Sequence, residues 1–314
     1  MTPLAEHSGP TIIAAVIGLG SMGLGMARSM KRAGLDVIGY DVTPAAVDRF
    51  VAEGGRGAAT PADAAREADI VVCVVVNGAQ TEAVLFGAQG VAAAMKAGAV
   101  FISSATMDPA VARDLAGRAE ALGLHYLDAP ISGGAAKAAL GELTIMASGS
   151  RQAFDAARPG LEAMAGKVYE LGDAAGTGAA FKMINQLLAG VHIAAACEAI
   201  SFAAKQGLDL DKVYEVITAS AGNSWMFENR VPHVLAGDYT PLSSIEIFVK
   251  DLGIVQDMAR SERYPAPLAA AALQMYLAAA GAGMGRDDDS SLARLYAKLS
   301  GAELPGSVKE PLGL

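Results

Sequence analysis

Two patterns of hydrophobic residues divide the chain. From residue 11 to about residue 170, short apolar runs of strand length alternate with stretches of helical spacing. The runs with the composition of buried strands are TIIAAVIG, LDVIGY, DIVVCVVV, AVFIS, LHYLDA and LTIMAS. Strands that alternate with helices form parallel sheets covered by helices on both faces. This half is therefore predicted to be an α/β domain with a doubly wound parallel sheet.

After about residue 175 the strand signals disappear and only helical spacing remains. The helical segments are QLLAGVHIAAACEAISFAAKQG, DLDKVYEVITASAG, IFVKDLGIVQDMARS and PLAAAALQMYLAAAGAG. We therefore predict a first domain over 11–175 and an all-helical domain over 176–302, beginning on a long interdomain helix. Residues 301–314, which include two prolines, are expected to be loosely held.

The composition of the chain argues against several classes of function. The 314 residues suit two domains, and a net charge of -9 argues against nucleic acid or an anionic membrane as a partner. Cys73 and Cys197 lie in apolar runs, which indicates reduced core thiols in a cytoplasmic protein. Residues 1–10 lack a basic stretch before an apolar core, so no signal peptide is expected. The apolar stretch 187–204, interrupted by a histidine and a glutamate, is interpreted as a core helix.

A glycine-rich loop follows the first predicted strand. The segment VIGLGSMGLGMARSM places Gly18, Gly20 and Gly23 in a G-x-G-x-x-G motif that opens a helix. Gly18 permits a tight turn, Gly20 lets the backbone approach a pyrophosphate, and Gly23 lets helix pack on strand. The intervening residues complete the predicted phosphate site: Leu19, Ser21 and Met22. An ordinary glycine turn is the alternative, but the context favours a Rossmann dinucleotide-binding domain.

The ends of later strands supply further cofactor candidates. The second strand ends in IGYDV, where Asp41 is placed to accept ribose hydroxyls and to repel a 2′-phosphate. Val42 follows where an arginine would suit NADP, so NAD is the predicted cofactor. Asn77 and Thr106 follow the third and fourth strands and are also predicted to line the cofactor crevice. Helix capping is the alternative role for both, and at Thr106 the two roles are compatible.

Four segments together resemble the signatures of a known family. GLGSMGLGMA, DAPISGG (128–134), GAAFKMINQLL (178–188) and KDLGI (250–254) resemble, in order and spacing, those of the β-hydroxyacid dehydrogenases. That family includes 3-hydroxyisobutyrate dehydrogenase, tartronate semialdehyde reductase and L-threonate dehydrogenase. The resemblance extends over residues 12 to 300 and implies a Rossmann domain followed by a helical domain. Residues 220–241 are most similar to the L-threonate dehydrogenase branch.

The resemblance also implies roles for individual residues. The residues that bind the acid group of the substrate in the family correspond to Ser132, Gly133 and Gly134. The consecutive N–H groups of these residues could form an anion nest. A simple glycine hinge is the alternative there. The proton-transfer lysine of the family corresponds to Lys182. The amide residue that assists it corresponds to Asn185.

The proposed base is chemically reasonable. Gly178, Lys182 and Asn185 stand at i, i+4 and i+7, so they share one face of a helix. A free lysine, with a pKa of about 10.4, is a poor base at neutral pH. Burial and a second cation nearby favour the neutral form of the lysine. The resemblance implies that Lys250 is this second cation and that it lies closer to the cofactor than to the transferred proton. A snorkelling lysine at a helix surface is the alternative.

Further polar and aromatic residues are candidates for the substrate pocket. Asn223 and Trp225 are predicted to contact substrate, and the neighbouring candidates are Ser224, Phe227 and Asn229. Core packing and helix capping explain these residues equally well. The four histidines lack metal-ligand spacing, so no metal site is predicted. RDDDSS at 286–291 is interpreted as a solvated loop with helix caps.

These observations predict an enzyme. The predicted reaction is NAD-dependent oxidation of a small hydroxy acid, with L-threonate going to 2-oxo-tetronate as the first candidate. Oxidation of 3-hydroxyisobutyrate and reduction of tartronate or succinic semialdehyde are the alternatives within the family. A non-catalytic NAD(P)-binding protein and an imine reductase are disfavoured by the presence of Lys182. The apolar helical half predicts a homodimer or homotetramer.

Overall fold

The computed structural model describes residues 11–306, and the chain divides into two compact units between Lys182 and Met183. The expectation about a signal peptide at 1–10 lies outside the described residues, as does the tail from 307 onwards. The expectation of a loosely held tail is wrong for Leu304, which is buried in the core of the second unit. The domain ranges 11–175 and 176–302 stay a prediction.

The strands of the described chain all lie in the first unit. They are β1 (Ile13–Ile17), β2 (Asp36–Tyr40), β3 (Arg56–Gly57), β4 (Ile70–Cys73), β5 (Val100–Ser103), β6 (His125–Asp128), β7 (Ile131–Ser132), β8 (Leu143–Ala147) and β9 (Ala165–Glu170). The main sheet has six strands in the order β3-β2-β1-β4-β5-β6, and every neighbouring pair is parallel. This order reverses between β1 and β4, where doubly wound sheets bind their ligands. The predicted fold class is confirmed.

A second sheet departs from the expected pattern. LTIMAS was grouped with the main-sheet strands, but β8 pairs instead with β7 and β9 in a separate three-stranded sheet. β3, β7 and β9 were not predicted. β3 and β7 are two residues long, and β9 has no buried residue, so none of them has the apolar run by which a strand is recognised.

Helices cover both faces of the main sheet. The first unit contains α1 (Gly23–Arg32), α2 (Pro44–Ala52), α3 (Pro61–Ala65), α4 (Gly78–Phe86), α5 (Pro109–Glu120), α6 (Gly134–Leu140) and α7 (Arg151–Met164). Alternate strand residues enter different cores: Val16 and Val72 pack in one cluster, whereas Ile17 and Val71 pack in the other. Burial on both faces explains why the strands are continuous apolar runs.

The second unit is helical. The long helix α8 (Thr177–Lys205) begins in the first unit, and it is followed by α9 (Leu210–Thr218), α10 (Trp225–Ala236), α11 (Ile245–Ser261), α12 (Pro267–Ala279) and α13 (Leu292–Ser300), with short turns of helix at Ala280–Met284 and Asp289–Ser291. By length and composition alone, α8 and the segment Pro267–Met284 could each cross a membrane. In α8, however, Ile193 and Ile200 are fully buried in the core of the helical unit, as in the core helix of a globular protein.

The interpretation of residues 286–291 as a solvated loop is wrong for residues 288–291. Asp288, Asp289 and the two serines after them have no exposed surface. Arg230 donates from Nε and from its second amino group to the two carboxylate oxygens of Asp289, at 2.5 and 3.0 Å. Asp288 accepts from the backbone N–H of Leu242 at 2.9 Å. The countercharge for Asp289 comes from a residue 59 positions earlier, so no local pattern could reveal this burial.

Candidate active site

The glycine-rich loop between β1 and α1 has the geometry of a phosphate cradle. At Gly18, with φ of 98°, a Cβ atom would lie 2.4 Å from the carbonyl oxygen of Val74. At Gly23 it would lie 1.8 Å from the carbonyl oxygen of Gly18. At Gly20 it would meet no protein atom within 4 Å. The protein itself requires glycine at the first and last positions, and the middle position faces open space where a pyrophosphate has room to approach.

Asp41 lies at the end of β2, beside this loop. Its Oδ2 accepts from the backbone N–H of Leu19 at 2.7 Å, and its Oδ1 accepts from that of Thr43 at 2.8 Å. The carboxylate is therefore held at the mouth of the loop. The adjoining cavity has a volume of about 550 Å³ and is lined by Leu19, Gly20, Ser21, Leu24, Gly25, Arg28, Asp41, Thr43, Ala46, Arg49, Ala135 and Ala139. Of the two arginines in this lining, Arg28 is already paired with Glu53.

Asn77 and Thr106 lie just beyond the carboxyl ends of β4 and β5, as the sequence suggested. Asn77 caps α4, and its Oδ1 accepts from the backbone N–H of Gln80 at 2.9 Å. The cap of α5 is Asp108, whose Oδ1 accepts from Ala110 N–H at 2.6 Å. The suggestion that Thr106 also serves as a helix cap is therefore wrong.

The loop after β7 adopts a backbone that only glycine accommodates easily. Gly133 and Gly134 have φ angles of 136° and 76° in succession. α6 follows directly and packs closely on α1, because a Cβ at Gly25 would lie 2.8 Å from the backbone nitrogen of Ala139. The helix after the predicted carboxylate loop thus contacts the helix after the phosphate loop, and both helices contribute to the same cavity.

Lys182 is buried, with 7% of its surface exposed. Its Nζ donates to the carbonyl oxygen of Ile131 at 2.8 Å. Ile131 immediately precedes Ser132 and Gly133, so the structure brings the predicted base and the predicted carboxylate loop together. A lysine nitrogen held in this way is away from bulk water and is bonded to the residue just before the predicted carboxylate loop.

Asp128 anchors the helix that carries Lys182, and sequence reasoning missed it. Its side chain is fully buried, and its Oδ2 accepts from the backbone N–H groups of Gly176 and Ala179, each at 2.9 Å. Burial raises the pKa of this carboxyl group. A Cβ at Gly178 would lie 2.3 Å from the carbonyl oxygen of Met146. Gly178 therefore allows α8 to approach the strands closely.

The helical unit contains a chain of polar contacts around Asn185 and Lys250. Asn185 Nδ2 donates to Gln186 Oε1 at 3.0 Å, and Gln186 Nε2 donates to Asp251 Oδ2. Lys250 Nζ lies 2.6 Å from Asp251 Oδ1. Gln186 and Asp251 are buried, with 8% and 1% exposed. Sequence reasoning did not identify Asp251, because a lysine–aspartate pair in a helix carries no signal by itself.

The segment proposed to line the substrate pocket has mixed roles. Ser224 caps α10 by accepting from the backbone N–H of Phe227 at 3.0 Å, and Phe227 itself is buried in the core. Asn223 Nδ2 donates to the carbonyl oxygen of Thr218 at 3.1 Å. Trp225 is 54% exposed and is not part of the core. A substrate contact stays a prediction for Asn223 and Trp225.

The three glycines of the loop yield a matched pair of expected results. Gly20→Ala should fold with nearly unchanged thermal stability but weaken NAD binding by about tenfold or more, because the added methyl group occupies only the space in front of the loop. Gly23→Ala should lower the melting temperature, because its methyl group collides with the backbone of Gly18. Titration of NAD and thermal melts of both variants separate the two effects. Equal loss of stability in both variants would contradict this assignment.

The strand order, the glycine loop and the carboxylate at the end of β2 define a dinucleotide-binding oxidoreductase. Residues 13–172 match the family described as the NAD binding domain of 6-phosphogluconate dehydrogenase. Residues 176–296 match the family described as the NAD-binding domain of NADP-dependent 3-hydroxyisobutyrate dehydrogenase. The chain belongs to the 3-hydroxyisobutyrate dehydrogenase family and is an NAD-dependent hydroxyacid dehydrogenase.

Individual members of this family are similar to this protein over most of the chain. An L-threonate dehydrogenase of Cupriavidus necator is 54% identical over 294 residues, which are 94% of this chain and 98% of that protein. The mitochondrial 3-hydroxyisobutyrate dehydrogenase of Mus musculus is 34% identical over 283 residues, 88% of this chain and 84% of that protein. A crystal structure of 3-hydroxyisobutyrate dehydrogenase from Salmonella typhimurium has a TM-score of 0.87 and 50% identity, covering 90% of this chain and 99% of that one.

Proposed function

We propose that this protein oxidises L-threonate to 2-oxo-tetronate with NAD. The observation that carries the proposal is the buried nitrogen of Lys182, 2.8 Å from the Ile131 carbonyl oxygen and adjacent to the loop of Ser132 to Gly134. A small hydroxy acid needs a carboxylate-binding group and a base close together. The loop can bind the carboxylate, and Lys182 beside it can act as the base. The 54% identity to an L-threonate dehydrogenase supports this particular acid.

Two groups of the first unit act directly on the substrate in this proposal. The N–H groups around Ser132, Gly133 and Gly134 bind the carboxylate. Lys182, as the neutral amine, accepts the proton of the C2 hydroxyl. NAD held by the glycine loop and Asp41 would supply the acceptor for the hydride that leaves C2. The hydroxyl bond to hydrogen and the C2–H bond break, and the C2 carbonyl forms. The Ile131 carbonyl holds the lysine nitrogen in place before substrate arrives, which reduces the reorganisation needed at the proton-transfer step.

The remaining candidates take supporting roles. Residues 18–23 receive the pyrophosphate, and Asp41 accepts the ribose hydroxyls through lone pairs that its two backbone contacts leave available. Asn77, Thr106 and Lys250 complete the cofactor site. Asn185, Asn223 and Trp225 are the contacts proposed for the substrate in the helical unit.

A substrate panel tests the proposal. L-threonate, 3-hydroxyisobutyrate, tartronate semialdehyde and succinic semialdehyde would be assayed with the NAD(H) and the NADP(H) couples. The highest kcat/KM is expected for L-threonate with NAD, because Asp41 places a carboxylate where the NADP 2′-phosphate would lie. Faster turnover of another acid would replace L-threonate as the substrate, and loss of all NAD-linked turnover would reject the reaction.

A second candidate is 3-hydroxyisobutyrate. It is supported by the solved Salmonella typhimurium structure, which bears the name 3-hydroxyisobutyrate dehydrogenase and is 50% identical to this chain. The two acids differ chemically in a useful way, since 3-hydroxyisobutyrate offers one hydroxyl group and L-threonate offers three. The same panel therefore decides between them.

We also propose that the protein forms a homodimer or homotetramer. Along α8, Ile184, Leu188 and Phe202 are 60%, 49% and 65% exposed and lie on one side of the helix. Several large exposed apolar side chains on one side of a helix are typical of a surface that another subunit covers.

A further inference from the structure

We propose that Gln186 and Asp251 are positioning residues that fix the amide of Asn185, so that it offers its carbonyl oxygen to a substrate hydroxyl. The two residues would thereby favour acids with additional hydroxyl groups over acids that lack them. This inference rests on the proposed function, because it assumes that Asn185 contacts the substrate.

The first step concerns the charge on Asp251. Its carboxylate is 99% buried, and such a group is stable only when it is paired and hydrogen-bonded. Lys250 Nζ lies 2.6 Å from Oδ1, and the Lys250 side chain is 21% exposed. The lysine therefore neutralises Asp251 from the solvent side, and the other carboxylate oxygen faces Gln186.

The second step fixes the direction of the Gln186 amide. The two ends of a glutamine amide have similar shapes, so its orientation normally has to be inferred from its partners. An ionised carboxylate only accepts hydrogen bonds. The end of Gln186 that meets Asp251 must therefore be the Nε2 amino group, and its Oε1 must face the opposite way.

The third step concerns the Asn185 side-chain amide, whose orientation follows from that of Gln186. Because Gln186 presents Oε1, Asn185 has to meet it with Nδ2, and the two atoms are 3.0 Å apart. The carbonyl oxygen of Asn185 is then directed away from Gln186. Asn185 is half-buried, whereas Gln186 is buried. The acceptor that this chain of contacts offers to a ligand is Asn185 Oδ1, and a hydroxyl group is its natural donor.

Close packing of α8 on α11 holds the contacts in register. One turn beyond Gln186, a Cβ at Gly190 would lie 3.0 Å from side-chain atoms of both Leu252 and Phe248. Tyr276 donates its hydroxyl to the carbonyl oxygen of Gly190 at 3.0 Å. The absence of a side chain at this position lets the helices approach closely enough for Gln186 to reach Asp251.

The test compares L-threonate with its two deoxy analogues, 2,3-dihydroxybutanoate and 2,4-dihydroxybutanoate. In the unaltered protein, kcat/KM should be higher for L-threonate than for at least one analogue. Gln186→Met keeps a side chain of similar length but removes both amide contacts, and this preference should fall by about tenfold, the value of one hydrogen bond. Asp251→Asn should reduce it similarly, because an amide at 251 accepts either orientation of Gln186.

Ser201→Ala is the matched control. Ser201 is buried on the same helix and donates to the carbonyl oxygen of Ala293 at 3.0 Å, but it has no part in this chain of contacts. In the Ser201→Ala variant, the ratio of kcat/KM for L-threonate to kcat/KM for each analogue should be unchanged. If Gln186→Met folds and retains the full preference, or if all three acids lose activity equally, the positioning role is overturned while the proposed function stands. If L-threonate is not turned over by the unaltered protein, the proposed function fails instead.

Discussion

Replacing Lys182 with alanine is expected to lower kcat for acid oxidation by about 10²- to 10⁴-fold, the usual contribution of a general base. The reason is that the buried Nζ at the Ile131 carbonyl is the proposed acceptor of the hydroxyl proton. The affinity for NAD should change little, because Gly20 and Asp41 are left intact. Steady-state kinetics with L-threonate and a separate NAD titration measure the two quantities.

Two further variants make this expectation sharp. Lys182→Arg retains a donor for the Ile131 carbonyl but cannot lose its proton in a protein, so it should be almost as inactive as the alanine variant. Lys167→Ala, which removes an exposed lysine of the same unit, should leave turnover unchanged. Substantial activity in the arginine variant would mean that Lys182 only holds the loop and that another group accepts the proton.

The segment from Asp128 to Gly134 determines where this lysine is placed. Asp128 accepts from Ala179 N–H, and three residues later the Ile131 carbonyl accepts from Lys182 Nζ, also three residues after Ala179. Two contacts with equal spacing along the strand end and along the helix fix the first turns of α8 against this segment. The carboxylate loop begins at the next residue, so one stretch of backbone sets the distance between base and nest.

The parts of this arrangement that sequence could predict are those with a local signal. The glycine loop is one example, because its G-x-G-x-x-G motif lies within six residues directly after an apolar strand run. The strand runs are another, because burial on both faces makes them continuously apolar. The position of Lys182 followed from helical spacing together with a family motif.

The parts that sequence could not predict depend on partners distant in the chain. Asp128 reaches a helix about 50 residues later. Asp251 is recognisable as a positioning residue only after Gln186, 65 positions earlier, is seen to donate to it. Residues 286–291 look like a surface loop until Arg230 is placed beside Asp289. In each case only the tertiary fold supplies the partner of the charged residue.

Replacing Arg230 with methionine is expected to destabilise the helical unit by about 3–5 kcal/mol, because it leaves the carboxylate of Asp289 buried without its countercharge. Methionine retains most of the volume of the arginine stem, so the loss reports mainly the charge. Urea denaturation can be followed through Trp225, the single tryptophan of the chain, which lies in the same unit. Arg294→Met is the control, since its ion pair with Asp287 is about a third exposed and should contribute at most about 1 kcal/mol.

The loss of folding stability in Arg230→Met should also depend on pH and should be larger at higher pH. Burial raises the pKa of Asp289 from 3.8 to about 6, so the folded state binds this proton more tightly than the unfolded state does. The stability that Asp289 contributes is therefore fully present below about pH 4 and is lost as the pH rises through 6. Without Arg230 the pKa should rise further, so Arg230→Met should be destabilised more at pH 8 than at pH 5. A penalty that is equal at the two pH values, or no larger than that of Arg294→Met, would show that Asp289 is not held as a buried charge.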